Sequence, residues 1–347
     1  MTARDGSAPE PGAPPFDGML LFAIVALAGI GAVMVYSASA MTAQQKLGDQ
    51  FYYLKRQLLA GGIGLSLLVT ALKLGHRRIS ALAYPLLVAA VVLLLLVLVP
   101  GIGKMAGGAR RWIDLGLLRF QPAEAAKVAL VLYLARSLSR KQDRVKELAI
   151  GLLPHLLVTG LLALLVLAER DLGTVVIMGL VLFAMLFAAG VPARWLAGTV
   201  VLLAPMFWYL VASTPYRLQR FLAYLDPWGH RDGAGFQLVE SLLGIGNGGW
   251  LGQGLGEGKG KLFYLPAAPT DFIAAVIAEE AGLVGVALVL GLYALLVWRG
   301  LRAARRASDA FGCHAAVGLS TLVGAQALVN FAVVFGLLPT KGLTLPF

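Results

Sequence analysis

Charge is scarce in this chain. Only 14% of its 347 residues are Asp, Glu, Lys or Arg, while 59% are hydrophobic. A soluble domain carries roughly 25% charged and about 45–50% apolar residues. One core cannot bury this much apolar side chain, so a soluble globular domain is excluded and lipid must cover the remainder. Cysteine is scarcer still: Cys313 alone excludes an internal disulfide framework. The four histidines (His76, His155, His230 and His314) are scattered without the spacing of a zinc site. The first 18 residues hold one arginine, Arg4, with Asp5, Glu10 and Asp17 among Pro and Gly, and so lack the basic start of a cleavable signal peptide. Residues 1–17 are expected to be a disordered tail, and the first apolar helix an uncleaved anchor.

The net charge of +11 does not imply nucleic acid, because the basic residues fall in short clusters between apolar runs. A membrane-crossing helix must satisfy its own backbone over about 20 apolar residues. On that basis nine spans are expected, near 18–40, 57–72, 79–99, 122–138, 148–167, 172–190, 193–212, 271–298 and 311–337. The span at 122–138 is the least apolar. Alternate connections carry the larger share of Lys and Arg in short loops: Arg4, then Lys73 to Arg78, Arg136 to Lys146, Arg194, and Arg299 to Arg306. That bias puts the N-terminus in the cytoplasm. Residues 18–347 then form one transmembrane domain, with a long outer loop at 213–270 rich in Gly, Trp and Tyr.

Ionisable groups in or beside spans are costly and mark functional candidates. Glu124 and Lys127 lie three apart on one helix face, where they can pair, either as a structural ion pair or as part of a site. Asp171, in AERDLGT, opens a span, where it is either functional or an acid favoured by the helix dipole. Asp271, in PTDFIAAVIAEEAG, opens the helix that follows the long outer loop; it or Thr270 could equally serve as an N-cap. Glu279 and Glu280 diverge by about 100° on that helix, so at least one must meet a partner or a cavity. Arg110, Arg111, Arg217, Arg220, Lys259 and Lys261 form an outer basic set suited either to a phosphate ligand or to lipid headgroups. GIGNGG at 244–249 follows no strand, and GEGKGK lacks the Ser or Thr of a P-loop, so neither is a nucleotide site.

Several ordered stretches carry a resemblance: VMVYSASA, GGARRWIDLGLLRFQPAEAAKVALVLYLA, DLGT, YRLQRFLAYLDPW, GFQLVESLLGIGNGGWLGQGLGEGKGKLFYLP, TDFIAAVIAEEAGLVG and GLLPTKGLTLPF. With these the chain resembles the SEDS family of polytopic peptidoglycan glycosyltransferases. KLFYLP and LLPTKGLTLPF are more similar to the septal division branch than to the elongation branch. The resemblance implies an all-α polytopic bundle at the bacterial inner membrane with Asp271 as the catalytic aspartate. The family has ten helices, so this chain, with nine, would lack the last. The usual LPEAHTDF reads LPAAPTDF here, with Ala267 and Pro269 replacing Glu and His.

The implied reaction joins the anomeric carbon of a lipid II donor, linked to undecaprenyl diphosphate, to the 4-hydroxyl of another lipid II. A positioned carboxylate removes the hydroxyl proton, and Arg, Lys or a divalent cation (Mg or Mn) meets the developing diphosphate charge. Expected substrate contacts are Arg110, Arg111, Lys127 with Glu124, Asp171, Arg217, Arg220, Gln237, Thr270 and Lys341. No organic cofactor is expected. A class B penicillin-binding protein and other division membrane proteins are the implied partners. A flippase for the same lipid and a non-catalytic division scaffold are the competing readings.

Overall fold

The computed structural model describes residues 17–106, 108–116, 118–258, 270–340, 342 and 344–347. Residues 1–16 of the expected 1–17 tail, Lys259, Lys261, Ala267, Pro269 and Lys341 lie outside the described residues. Helices α1 (Gly18–Leu47) and α2 (Tyr52–Leu98) lead into a small sheet of β1 (Gly103–Ala106), β2 (Ala109–Asp114) and β3 (Arg119–Phe120). There follow α3 (Pro122–Arg140), α4 (Leu153–Ala168), α5 (Leu172–Ala188), α6 (Ala193–Ala212), α7 (Pro215–Leu225), α8 (Phe236–Gly248), α9 (Ile273–Arg306) and α10 (Ala310–Val334). Among the described residues, six helical stretches are long and apolar enough to cross a membrane, with the 17-residue α5 just short of that length.

Local sequence accounts for the helix ends. The Asp17 side chain accepts from the Leu20 N–H at 3.1 Å, and Gly48 closes α1 in the left-handed region at φ 71°. A straight 47-residue α2 would be about 70 Å long, over twice the roughly 30 Å hydrocarbon core. It breaks at Gly75 (φ 71°, ψ 160°), between the two expected spans at 57–72 and 79–99. The least apolar span, α3, is the most enclosed: Leu130, Leu134 and Leu138 are buried among α2, α5 and α10. A helix surrounded by protein has no lipid to match, so hydropathy under-reads it.

One expectation is corrected. An all-α fold was expected, yet residues 103–120 form an antiparallel sheet in the order β1-β2-β3, with Gly103 opposite Ile113 and Ile113 opposite Phe120. The period-2 signal is faint over such short strands. The described part of the expected long outer loop folds into α7 and α8, and α8 packs on α9.

α9 is not one continuous helix. Gly282 sits at φ 65° and ψ −169°, and the backbone groups freed there bond to the turn after α8. Gln253 N–H donates to the Glu279 carbonyl and Gly254 N–H to that of Glu280, both at 3.0 Å. In return Leu283 N–H donates to Gly249 (3.0 Å) and Val284 N–H to Trp250 (3.1 Å). Irregular backbone at membrane depth is tolerated only where protein satisfies it, and here a glycine-rich turn does so. The turn must come very close: a Cβ on Gly252 (φ 80°) would overlap the Glu280 carbonyl. Buried Glu280 meets partners as expected, accepting from Ser37 Oγ at 2.7 Å and from Gly256 N–H at 3.1 Å.

Contacts between connections agree with the expected alternation of sides. Asp17 pairs with Arg299 at 2.6 Å and His76 approaches Asp309 at 3.6 Å, so the start of α1, the α2 break and the α9–α10 turn share one end. At the other end, Arg56 reaches the Gly116 carbonyl and Arg220 the Thr340 carbonyl.

Candidate active site

Asp271 stands two positions before Ile273, the first residue of α9. The N-cap of α9 is Phe272, with no side-chain cap, so the Asp271 carboxylate is not committed to the helix end. Its carbonyl accepts from Asn330 Nδ2 on α10 at 2.9 Å, which fixes the backbone. The carboxyl itself is half-buried and charge-surrounded. Burial pushes it up to about 6; Arg220 and Arg111 pull it down, and Asp171 adds to the rise.

Arg111 stands on β2. The β1–β2 pairing steps there from Lys104 opposite Trp112 to Met105 opposite Arg110, leaving Arg111 between the paired positions. Arg111 is the one turned to Asp271: a Cβ built on Gly342 would lie 3.4 Å from Asp271 Oδ2 and 3.9 Å from Arg111 Nη1. A larger residue at 342 would wedge between the carboxylate and the guanidinium. Arg111 is itself held firmly, donating Nε to the Glu169 carbonyl at 2.8 Å and Nη2 to the Arg170 carbonyl at 2.7 Å. Arg170 returns the contact by donating Nη1 to Gly108 at 3.2 Å, tying the α4–α5 turn to the β1–β2 hairpin.

α7 supplies the second arginine. Arg220 donates to the Thr340 carbonyl at 3.2 Å and lies 4.5 Å above the Tyr216 ring. Tyr224 donates to the Leu337 carbonyl at 3.1 Å, so α7 is fastened to the segment after α10. Lys127 is almost wholly enclosed, with its side chain 1% exposed, and donates to Glu124 Oε1 at 2.8 Å. The Glu124 side chain is 46% exposed, so the pair has one sealed end and one open end.

Other expected residues take lesser parts. Asp171 is the N-cap of α5, accepting from Thr174 N–H at 3.0 Å and Thr174 Oγ1 at 2.9 Å. It reaches the site by its charge and through Gln121 Nε2 at 3.4 Å. Arg217 turns away, donating to the Leu210 carbonyl at the end of α6 (3.0 Å). Gln237 is half-buried on α8, and Thr270 is exposed beside Asp271. Glu169, Asn330 and Gly342 were not singled out from sequence. The acid two positions before Asp171 was the available signal for the first; the other two carry none.

Among the described residues there is no group of three or more His, Cys, Asp or Glu able to hold a metal ion. Arg111 and Arg220 place positive charge beside Asp271, and Asp171 is committed to Thr174 and Gln121, so these residues do not fit a protein-built cation cage.

The arrangement is a carboxylate with a raised pKa, flanked by the Arg111 and Arg220 guanidinium groups. Such a site can take a proton from a hydroxyl and hold a phosphate-bearing ligand. A family model described as cell cycle protein, covering FtsW, RodA and SpoVE, matches residues 18–347. The probable peptidoglycan glycosyltransferase FtsW of Geobacter metallireducens is 47% identical over 332 residues, covering 96% of this chain and 88% of the relative. Stage V sporulation protein E of Bacillus subtilis is 39% identical, covering 95% of this chain and 90% of the relative. Among solved structures, a chain from a peptidoglycan synthase complex that coordinates polymerization and crosslinking superposes with a TM-score of 0.78 at 33% identity, covering 96% of this chain and 91% of that one. The rod shape determining protein RodA of Thermus thermophilus superposes with a TM-score of 0.68 at 32% identity, covering 97% of this chain and 90% of that one. Sequence match over nearly the whole chain and a shared fold agree, and this chain belongs to the FtsW/RodA/SpoVE family of cell cycle proteins.

Proposed function

We propose that this protein is a peptidoglycan glycosyltransferase that polymerises lipid II at the outer face of the bacterial inner membrane, with Asp271 as general base. The observation that carries the reading is the Asp271 carboxyl: uncommitted to its helix, partly desolvated, raised to about 6 and flanked by Arg111 and Arg220. At neutral pH such a group is ionised yet more basic than an ordinary Asp, which suits proton abstraction.

In the reaction, the 4-hydroxyl oxygen of the acceptor sugar attacks the anomeric carbon of the donor. The bond from that carbon to the diphosphate oxygen breaks, the hydroxyl proton passes to Asp271, and the diphosphate leaves with the electron pair. Arg111, Arg220 and Lys127 stabilise the charge that develops on it. A divalent cation, if used, would come with the substrate's diphosphate and would supply further charge neutralisation. Glu124 keeps the Lys127 ammonium in place.

The septal branch, the cytoplasmic N-terminus and nine spans (with α2 and its break counted as two) belong to the same proposal. So does a class B penicillin-binding protein as partner, supported by the likeness to a chain of a synthase complex. The test is lipid II polymerisation by purified full-length protein, with and without that partner. Glycan product supports the reading; transport of lipid II without product, or neither activity, sinks it.

A further inference from the structure

Glu169 is an acid with no evident means of carrying a charge. It lies at the outer end of α4, 1% exposed, and neither carboxyl oxygen has a hydrogen-bond partner among the described residues. Cations are nearby but otherwise engaged. Arg111 from β2 donates Nε to the backbone carbonyl of Glu169, not to its carboxylate, and Arg170 points its guanidinium to Gly108. Asp171 at the start of α5 faces it as a second acid, itself committed to Thr174. Such surroundings accept a neutral carboxylic acid and reject a carboxylate.

The backbone holds Glu169 there at a cost. Asp171 N–H donates to the Val166 carbonyl (3.2 Å) and Arg170 N–H to that of Leu167 (2.9 Å), a helix-ending motif that usually has glycine in the left-handed position. Here that position is Arg170, at φ 60°. A non-glycine residue persists in that region only where its surroundings over-determine it, and the two hydrogen bonds from Arg111 help do so.

We propose that Glu169 is a positioning residue for the transferase, held as the neutral acid while the enzyme works so that Arg111 stays turned toward Asp271 and the substrate diphosphate. This rests on the reading of Asp271 given above. Loss of the proton would put a second anion beside Asp171, and the Arg111 guanidinium, whose charge already acts on Glu169, would be drawn to it and away from Asp271. Burial, with Asp171 adding to it and Arg111 opposing, pushes the Glu169 carboxyl up to about 8. Activity therefore has an alkaline limit that the base mechanism alone does not impose.

The experiment measures lipid II polymerisation by the full-length protein from about pH 5 to about pH 9, for wild type and Glu169→Gln. Wild type should rise through about 6 and fall through about 8. Glu169→Gln copies the neutral acid, so it should keep the acid limb and activity within about threefold at neutral pH, and lose the alkaline fall. A wild-type profile with no fall, a variant that falls at the same midpoint, or a folded variant inactive at neutral pH would each overturn the proposal. Thermal unfolding in detergent gives a second arm that needs no turnover. With its native pKa raised, Glu169 makes the native state bind more protons, so wild-type stability should fall relative to Glu169→Gln from about pH 4.3 up to about 8 and then level off. Parallel melting curves for the two proteins across that window would also overturn it. Absence of polymerisation from every protein at every pH would instead defeat the transferase reading, with the melting arm still deciding whether Glu169 holds its proton.

Discussion

Arg111 donates to the Arg170 carbonyl at 2.7 Å while Arg170 sits in the left-handed region, so one arginine holds another in a strained turn. The same guanidinium faces Asp271 across Gly342. Structure and chemistry thus share one side chain. Arg111→Lys should show both effects. A lysine keeps the charge but cannot donate to two carbonyls as a planar fork does. Loss of these charge-assisted bonds should cost about 2–3 kcal/mol of stability, read by thermal unfolding, together with a drop in polymerisation. Unchanged melting would show that the clamp is unimportant.

Asp271→Asn should abolish polymerisation, by about 10²-fold or more, with folding intact by size-exclusion elution and melting temperature. The reactive form is the ionised one, so wild-type activity should be lost as pH falls through about 6, not through the ordinary Asp range. Activity within about tenfold of wild type in the variant would remove Asp271 from the base role.

Glu124 and Lys127 should behave as a unit. Removing Glu124 alone strands an ammonium whose side chain is 1% exposed, whereas removing both leaves no charge to strand. In a double-mutant cycle on stability, the double variant should cost less than the two singles together, by about 1 kcal/mol or more. Simple additivity would mean that the 2.8 Å contact does not couple them.

Glycines of the outer segment should divide sharply. Gly252 has φ 80° and its Cβ would overlap the Glu280 carbonyl, so Gly252→Ala should destabilise by more than about 2 kcal/mol. Gly246 lies in α8 with nothing within 4 Å of a Cβ, and Gly246→Ala should be neutral or gain about 0.5–1 kcal/mol. Equal melting temperatures for the two variants would show that the turn after α8 does not hold the α9 break.

Sidedness can be tested by thiol labelling in a Cys313→Ser background. His230→Cys, exposed between α7 and α8, should react with an impermeant reagent in intact spheroplasts. Arg305→Cys, exposed at the end of α9, should react only after the membrane is opened. The reverse pattern would put Asp271 on the wrong face for the proposed substrate.

The sequence by itself determined the membrane character, the positions of the apolar spans and the family. Hydropathy, period and ordered motifs are local properties, readable without knowing what packs on what. It also narrowed the site to a few acids and arginines, and the family resemblance singled out Asp271, but the local pattern held no physical reason to prefer it. Asp171 and Asp271 present the same local pattern, an acid at a helix start. Only the tertiary structure shows that Asp171 caps α5 through Thr174 while Asp271 leaves its helix uncapped and faces Arg111 and Arg220. Adjacent Arg110 and Arg111 were likewise equivalent until the fold brought Arg111 to the Glu169 and Arg170 carbonyls and its charge to Asp271. Glu169 passed unmarked because desolvation depends on what the whole bundle brings around a side chain. The low apolarity of α3 has the same cause: whether lipid or protein surrounds a helix is decided by its neighbours, not by its own residues.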